Sequence, residues 1–267
     1  MIVETLYLAR RDLKKFWKSK FAVLTTLIRP LAWLVLFGLA FNPLKLAGGS
    51  QATLSANLAG APNYFSFLAA GMASIMVLQL SLQSMGSLVI DRYTGFLDKV
   101  MVAPIRRQTV LGSKIVSYAF RGVTQGIVLL FVGYGLGLRP SSGFGVIQVA
   151  GILVVLVILG VSLSGIFVSI GGMVKNYETA QALGTTLSLP VMFTSNVLYP
   201  TRTMPYWLEP VAKINPVTYS SEIIRSLLFT PGANFGTISY DMVTLVLLLG
   251  ASLIIVYVAS FIMFSRR

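Results

Sequence analysis

The sequence predicts an all-α integral membrane protein with six transmembrane helices, an N-terminal amphipathic interfacial helix and short external re-entrant helices between spans five and six. Its mean hydropathy is +0.81. Hydrophobic residues make up 55% of the chain and charged residues only 11%, against roughly 25% charged in soluble domains. Apolar runs of about 20 residues, long enough to cross a hydrocarbon core of about 30 Å, recur along the chain. We therefore expect residues 1–267 to form a single transmembrane domain.

Residues 1–20 are predicted to form the interfacial helix, because apolar and cationic residues separate onto two faces at helical spacing. A calmodulin-target helix has the same pattern, but the membrane span that follows favours a helix with its apolar face in the acyl boundary and its cations toward anionic headgroups. The apolar face is Ile2, Leu6, Ala9, Leu13, Phe16 and Trp17, and the cations are Arg10, Arg11, Lys14, Lys15 and Lys18.

Six apolar segments are long enough to span a membrane. They cover residues 21–41, 64–90, 115–138, 146–174, 179–198 and 242–264. Arg29 and Pro30 interrupt the first segment. Arg29 is expected near its start, where the side chain can reach the interface, and the alternative is a functional intramembrane arginine. Gly122 and Gly126 in the third span suit close helix packing, and Pro190 is expected to kink the fifth.

Two of the predicted spans carry a row of polar residues on one face. In lipid, such groups must face protein or water. They either form hydrogen bonds between helices or line a pathway, and the pattern alone leaves both interpretations open. The rows are Gln79, Gln83 and Ser87 in the second span and Gln181, Thr185 and Ser188 in the fifth.

Residues 91–114 form a charged segment between two long apolar runs. Apolar residues lie among its charges at helical spacing, and Gly95 and Pro104 punctuate it. We interpret it as a short amphipathic helix under the membrane that presents a surface to a soluble partner, with Gly95 in a turn of positive φ. The alternative is a solvated connector. The apolar residues are Phe96, Leu97, Val100 and Met101.

Residues 199–241 break the pattern of long spans. This segment contains five prolines and two short apolar pieces, at 204–214 and 217–229. Each piece is too short to cross a bilayer but suits an interfacial or re-entrant helix. Tyr199, Tyr206 and Trp207 fit the aromatic belt at a membrane interface. We therefore predict an external re-entrant segment here.

The distribution of cations predicts the orientation. Six spans place both termini on the same side, and the side rich in Lys and Arg is cytoplasmic by the positive-inside rule. Both termini and residues 91–114 are therefore predicted to be cytoplasmic, and the formal charge of +13 is attributed to these segments rather than to nucleic-acid binding. All but five of the 21 Lys and Arg residues fall on that side, the exceptions being Lys45, Arg139, Arg202, Lys213 and Arg225.

Several chemistries are disfavoured by the residues that the sequence lacks. It contains no His and no Cys, which removes the commonest general base and metal ligand. There is no phosphate-binding loop, since Gly112-Ser113-Lys114 has the wrong order, and no paired carboxylates occur within a span. We expect neither a cofactor nor an enzyme. A standalone carrier or channel remains the alternative to a transport subunit that is driven by a partner.

Three stretches resemble the ABC type-2 permease family, especially its daunorubicin-resistance-like branch. Residues 9–41 form a basic helix leading into an Arg-Pro span, and residues 91–114 match the family's Arg-x-x-Gly, Ala/Ser-Pro and basic pattern. Residues 189–228 resemble its Pro-rich external segment, with Asn-Pro-Val-Thr-Tyr at 215–219 before Arg225. Asn196 departs from the small residue common there. The resemblance covers essentially the whole chain.

The resemblance implies an exporter permease in the plasma membrane of a bacterium or archaeon. Two permease copies, identical or different, would pair among membrane lipids and dock on separately encoded ATP-binding subunits. The N-terminal helix and residues 91–114 would transmit the ATP-driven motion, and the two polar rows would line the pathway. Hydrophobic drugs, lipids and lipid-linked polysaccharides are the implied substrates. The residues expected to couple are Arg92, Gly95, Phe96, Leu97, Val100, Met101, Pro104, Arg106 and Arg107.

Overall fold

A computed structural model describes residues 2–40, 60–102 and 107–231, together with residue 58 and seven helical positions between 243 and 254. Within these residues the fold is helical, without a strand. A π-helical turn, Leu36–Ala40, follows directly on the helix Lys20–Val35. The α-helices of this part are α1 (Ile2–Lys18), α2 (Lys20–Val35), α3 (Tyr64–Tyr93), α4 (Phe96–Val102), α5 (Arg107–Leu136), α6 (Val146–Met173), α7 (Tyr177–Phe193), α8 (Glu209–Ile214) and α9 (Pro216–Phe229).

Four of the described helices are long and apolar enough to cross a membrane. They are Lys20–Gly38, Tyr64–Tyr93, Gln108–Leu136 and Val146–Met173. These helices confirm the predicted all-helical membrane fold. The fifth predicted span corresponds to α7, which has 17 residues and contains Pro190. The sixth, at 242–264, lies largely outside the described residues, so the six-span arrangement stays a prediction.

The centre of the bundle is α3, which α5, α6, α7 and α9 surround. Of its most apolar 18-residue window, 94% is buried. Small residues allow the neighbours to approach closely: a Cβ on Gly122 would lie 3.1 Å from the Val77 Cα, and one on Gly126 would lie 3.2 Å from the Ala73 carbonyl oxygen. The two glycines therefore pack α5 against α3, as their spacing predicts.

One side of α1 packs against the protein instead of facing lipid alone. Ala9, Asp12 and Phe16 are buried, and the helix lies along α5. Leu6 and Trp17, which belong to the same predicted apolar face, remain exposed. The amphipathic helix is present over Ile2–Lys18, but the expectation that its whole apolar face meets acyl chains requires correction.

The segment 91–114 contains more helix than predicted. Asp91 lies in the last turns of α3, and α5 begins at Arg107, eight residues before the predicted start of the third span. Lys114 therefore lies two turns inside a membrane-spanning helix. Gly95, between α3 and α4, has a φ of 64°. Residues 103–106, which include Pro104 and Arg106, and the side chains of Met101 and Arg107 lie outside the described part.

The Pro-rich segment forms two short helices, α8 and α9. Asn215 begins α9, because its Oδ1 accepts a hydrogen bond from the Val217 N–H at 3.0 Å, and its Nδ2 donates to the Val191 carbonyl of α7 at 2.8 Å. Pro216 occupies the first turn, where its missing N–H costs nothing. The helix then packs against α3 and α6. Residues 232–242 lie outside the described part, and the re-entrant path stays a prediction.

Arg225 of α9 is fully enclosed between α3 and the chain that follows α7. Its guanidinium lies 3.6 Å from the centroid of the Phe67 ring. It donates hydrogen bonds to the carbonyl oxygens of Phe67, Asn196 and Val197 at 3.1 to 3.2 Å. The Asn196 side chain donates to Glu222 at 2.7 Å. The asparagine found at position 196 thus joins the hydrogen-bond network that holds α9 in place.

Candidate functional site

A cleft of about 620 Å³ opens between α1, α2, α3, α5 and α7. Its walls include both polar rows predicted from the sequence, so two rows that are about 100 residues apart along the chain face one space. The volume lies within the range of about 300–1,000 Å³ that is usual for small-molecule sites. The row residues that line it are Gln79, Gln83, Ser87, Gln181, Thr185 and Ser188.

The hydrogen bonds of the two rows stay within their own helices. The Ser87 hydroxyl donates to the Ser84 carbonyl at 2.8 Å, the Gln181 amide donates to the Tyr177 hydroxyl at 3.0 Å, and the Thr185 hydroxyl donates to the Gln181 carbonyl at 2.9 Å. The other three row residues make no hydrogen bond within the described part of the chain. Hydrogen bonds between the described helices therefore do not account for the rows.

A cluster of four charges from α1, α3 and α5 lines the cleft, and all of them except the partly exposed Arg11 are buried. The Lys114 Nζ lies 2.7 Å from the Asp12 carboxylate and 2.5 Å from the Asp91 carboxylate. The Arg11 guanidinium lies 2.7 Å and 3.2 Å from the same two carboxylates. Buried ions need such pairing to offset their desolvation. The four charges therefore fasten α1 to the ends of two membrane-spanning helices.

Asp12 is the acidic centre of this cluster and lies in α1, outside the membrane-spanning helices. Burial opposes its ionisation, but the ammonium of Lys114 and the guanidinium of Arg11 outweigh burial and hold the pKa of the Asp12 carboxyl below its usual value. Asp12 is therefore a carboxylate at neutral pH. Asp12 and Asp91 both form ion pairs with Lys114 and Arg11.

Arg121 lies seven residues beyond Lys114, on the same face of α5, and is only 8% exposed. Its guanidinium packs 4.7 Å from the Phe16 ring centroid and 4.5 Å from that of Tyr118. One Nη donates to the main-chain carbonyl of Asp12, and the Nε has no hydrogen-bond partner. No carboxylate in the described part lies within ion-pair distance of Arg121. The cleft therefore contains a buried cation with an unused donor.

Arg29 also lines the cleft. It lies nine residues after Lys20, about 13 Å along α2 at a rise of about 1.5 Å per residue. The side chain belongs to the wall that carries the polar rows, and its reach to the interface stays a prediction.

α4 joins the charge cluster to the outer surface of the same end. The Arg11 guanidinium lies 3.5 Å from the centroid of the Phe96 ring. Leu97 and Val100 are partly buried against the apolar cluster that includes Val110. Their inward packing counts against both residues as anchors for a partner protein. Among the described side chains of α4, the most exposed apolar one is Val102, at 89%.

Arg92, one of the residues expected to couple the ATP-driven motion, lies against the end of a neighbouring helix. Its guanidinium donates to the carbonyl oxygens of Gly172 and Val174 at 3.1 and 3.4 Å. These carbonyls lie at the end of α6, where main-chain acceptors are left without helical partners. Arg92 therefore caps α6 and fastens it to α3. The exposed Tyr93 and Lys99 are left as the polar part of this surface.

The sequence interpretation missed the charge cluster, because it considered only whether paired carboxylates occur within a span. A signal was present: Ala9, Asp12 and Phe16 follow one another at three- and four-residue steps, which places Asp12 on the apolar side of α1. Lys114 and Arg121, seven residues apart, share a face of α5 in the same way. Ionisable residues on an apolar stripe predict a paired, buried position.

The comparisons with known proteins extend over all nine described α-helices. The family profile described as ABC-2 type transporter matches residues 3–229. A putative transport permease ycf38 from Cyanophora paradoxa is 27% identical over 271 residues, 99% of this chain and 89% of that protein. The daunorubicin resistance ABC transporter permease protein DrrB1 of Streptomyces coeruleorubidus is 26% identical over 230 residues, 86% of this chain and 74% of that protein.

Proposed function

The chain belongs to the ABC-2 type transporter family, and we propose on that basis that it is the membrane-spanning permease subunit of an ATP-driven exporter. The observation that carries the proposal is the cleft, whose polar walls lie inside an otherwise apolar helix bundle. A hydrophobic or amphipathic substrate, such as a drug, a lipid or a lipid-linked glycan, would cross along these walls. The chain would sit in a plasma membrane with both termini in the cytoplasm.

The energy would come from a separate ATP-binding subunit, since the sequence contains no phosphate-binding loop. The surface that supports such a partner surrounds α4. Beside it lies a shallow groove lined by Ile90, Tyr93 and residues 176–178. A displacement of α4 would be transmitted from the Phe96 ring to the Arg11 guanidinium that packs on it. Arg11 belongs to the charge cluster that links α1, α3 and α5. Motion of the partner would thus enter the walls of the cleft.

A second permease copy would complete the pathway. α2 and α7 flank the cleft, and only 11% of the most apolar window of α2 is buried. Leu24 and Ile28 of α2, and Leu189 and Phe193 of α7, remain exposed. A second copy that covered these helices would turn an open cleft into an enclosed route. The copy would be identical to this chain or a related permease.

Reconstitution with and without an ATPase tests this function. The chain is coexpressed with the ATP-binding subunit encoded beside it, and both are placed in proteoliposomes with a panel of labelled drugs and lipids. We expect movement of at least one probe only with ATP and a hydrolysis-competent subunit. A partner variant without hydrolysis is the control. Equal transport by the permease alone would contradict the proposal and favour a standalone carrier or channel.

A further inference from the structure

We propose that the charged part of the cleft binds the anionic headgroup of an amphiphile, so that the cleft prefers phosphate- or carboxylate-bearing amphiphiles over cationic ones. This inference rests on the proposed exporter function and adds the chemical class of what the cleft receives. It follows from the unpaired charge of Arg121, the net charge of the cleft and the arrangement of its walls.

Arg121 supplies the central donor. A buried guanidinium without a carboxylate carries a desolvation penalty that an anion in contact with it would offset. Phe16 and Tyr118 pack against the guanidinium and restrict its orientation. Its Nε–H has no acceptor. An N–H of a guanidinium is a charged donor that suits a carboxylate or phosphate oxygen as its acceptor.

The other charged residues of the cleft also favour an anionic ligand. Asp12 and Asp91 are the carboxylates that line it, and both are already engaged by Lys114 and Arg11. Two more cations, Lys15 and Arg29, line the cleft and make no ion pair within the described part of the chain. The cations that remain unpaired are therefore those of Arg121, Lys15 and Arg29, and no carboxylate among the described lining residues balances them. Field lines of one sign concentrate in such a cleft and raise the local concentration of anions.

The walls suit the rest of an amphiphile. Glutamine, serine and threonine side chains line the cleft together with the charge cluster and Arg29, and they offer uncharged polar groups to a headgroup. Phe16, Ala22 and Leu82 also line the cleft and offer apolar contacts to the tail. The tail would therefore pack against these residues while the headgroup contacts Arg121.

Binding of matched amphiphiles tests the charge preference. The purified exporter, with its ATP-binding subunit, is placed in phosphatidylcholine nanodiscs and titrated with a dodecyl phosphate, a dodecylphosphocholine and a dodecyltrimethylammonium. We expect the dodecyl phosphate to bind at least tenfold more tightly than the cationic amphiphile, with the zwitterion between them. Equal affinity for the three, or a preference for the cation, would overturn the proposal.

Variants assign the preference to the cleft. Arg121→Gln and Arg29→Gln are each expected to reduce dodecyl phosphate affinity at least fivefold. Lys18→Gln, which removes an exposed cation of α1 that does not line the cleft, should leave it unchanged. Arg29 is exposed, so Arg29→Gln remains informative even if Arg121→Gln fails to fold. Unchanged affinity in Arg29→Gln and in a folded Arg121→Gln would also overturn the site.

A bound anion could be an exported molecule or a resident membrane lipid, and transport separates the two. In proteoliposomes, ATP-dependent transfer of tail-labelled phosphatidic acid between leaflets, lost in Arg29→Gln, identifies an exported anion. Saturable binding without transfer identifies a resident lipid, and both results support the anion site. Anion binding without ATP-dependent transport of any probe would reject the proposed function while leaving the anion site intact.

Discussion

The Nζ of Lys114 in α5 lies 2.7 Å from a carboxylate oxygen of Asp12 in α1, although the two residues are 102 positions apart in the sequence. Both are buried, and Asp91 of α3 completes the contact on the other side of the ammonium. The N-terminal helix is thereby fixed to two membrane-spanning helices at the end of the bundle that carries α4. Any force on α4 or α1 therefore acts on α3 and α5 as well.

Removal of Lys114 is expected to destabilise the protein strongly. In Lys114→Met, Asp12 and Asp91 would share Arg11 as their remaining partner, and breaking a buried ion pair by removing one member costs about 3–5 kcal/mol. We expect a clear fall in Tm in detergent, measured by intrinsic fluorescence. Lys175→Met, at an exposed position, is the matched control with an effect within about 0.5 kcal/mol. Equal Tm values for both variants would contradict the structural role of the cluster.

Labelling of introduced cysteines tests the predicted orientation. The chain has no native Cys, so single variants are labelled without background. A membrane-impermeant thiol reagent should label Thr203→Cys in intact cells, because Thr203 is exposed in the segment predicted to be external. Gln108→Cys, also exposed, should react only after permeabilisation. Labelling of Gln108→Cys in intact cells would reject the cytoplasmic assignment of residues 91–114.

Val102 is the preferred probe of the partner surface. Phe96→Ala with Leu97→Ala is still expected to uncouple ATP hydrolysis from transport, but Leu97 also packs inside the chain, so this double variant should lower Tm as well. Val102→Glu should weaken copurification of the ATP-binding subunit, by about 2 kcal/mol if Val102 is a central anchor, with Tm unchanged. Val146 is a similarly exposed valine at the first residue of α6, the end of that helix opposite to the one that Arg92 contacts. The ATP-binding subunit should copurify normally with Val146→Glu.

Full copurification of Val102→Glu together with full transport would remove α4 as the coupling surface. The exposed face of α1 and the turn at 174–176 would then be tested in the same assay.

Gly95 tests the turn between α3 and α4. Its φ of 64° is unfavourable for a side chain with a Cβ, and a valine there should cost about 1–2 kcal/mol. Apart from its two chain neighbours, no described residue has an atom within 4 Å of a Cβ at this position, so the cost would come from the backbone conformation. Gly95→Val should lower Tm and coupling, whereas Gly95→Asn, which tolerates this conformation better, should lie close to the wild type. Identical behaviour of the two variants would contradict this cause.

Gly171 tests the close approach of α6 to α3. A Cβ at Gly171 would overlap the main chain of Met85, which has no side-chain freedom to yield. Gly171→Ala should therefore destabilise the protein by about 1–3 kcal/mol, the usual cost of overpacking, as measured by Tm. Gly135→Ala is the matched control, since nothing lies within 4 Å of its Cβ. A Tm at or above wild type for Gly171→Ala would show that the two helices lie farther apart.

The sequence by itself determined the membrane class, the helical segments and the family resemblance. Hydropathy fixes which stretches enter lipid, and the short helix at Phe96–Val102, the turn at Gly95 and the capping role of Asn215 all depend on residues within a few positions. Local physical chemistry sets these features. The sequence also predicted both polar rows, but it did not show that the two rows line the same cleft.

The tertiary structure decided which partners the charged and apolar faces meet. Lys114 looked like the end of a loop because its carboxylate partners lie 102 and 23 residues away in the sequence, beyond the reach of any local pattern. The apolar faces of α1 and α4 looked free because lipid and protein interior are similarly apolar. Hydropathy therefore identifies an apolar face, but only tertiary packing decides whether lipid or another helix covers it. Phe16 and Leu97 are two residues of such faces that pack within the chain.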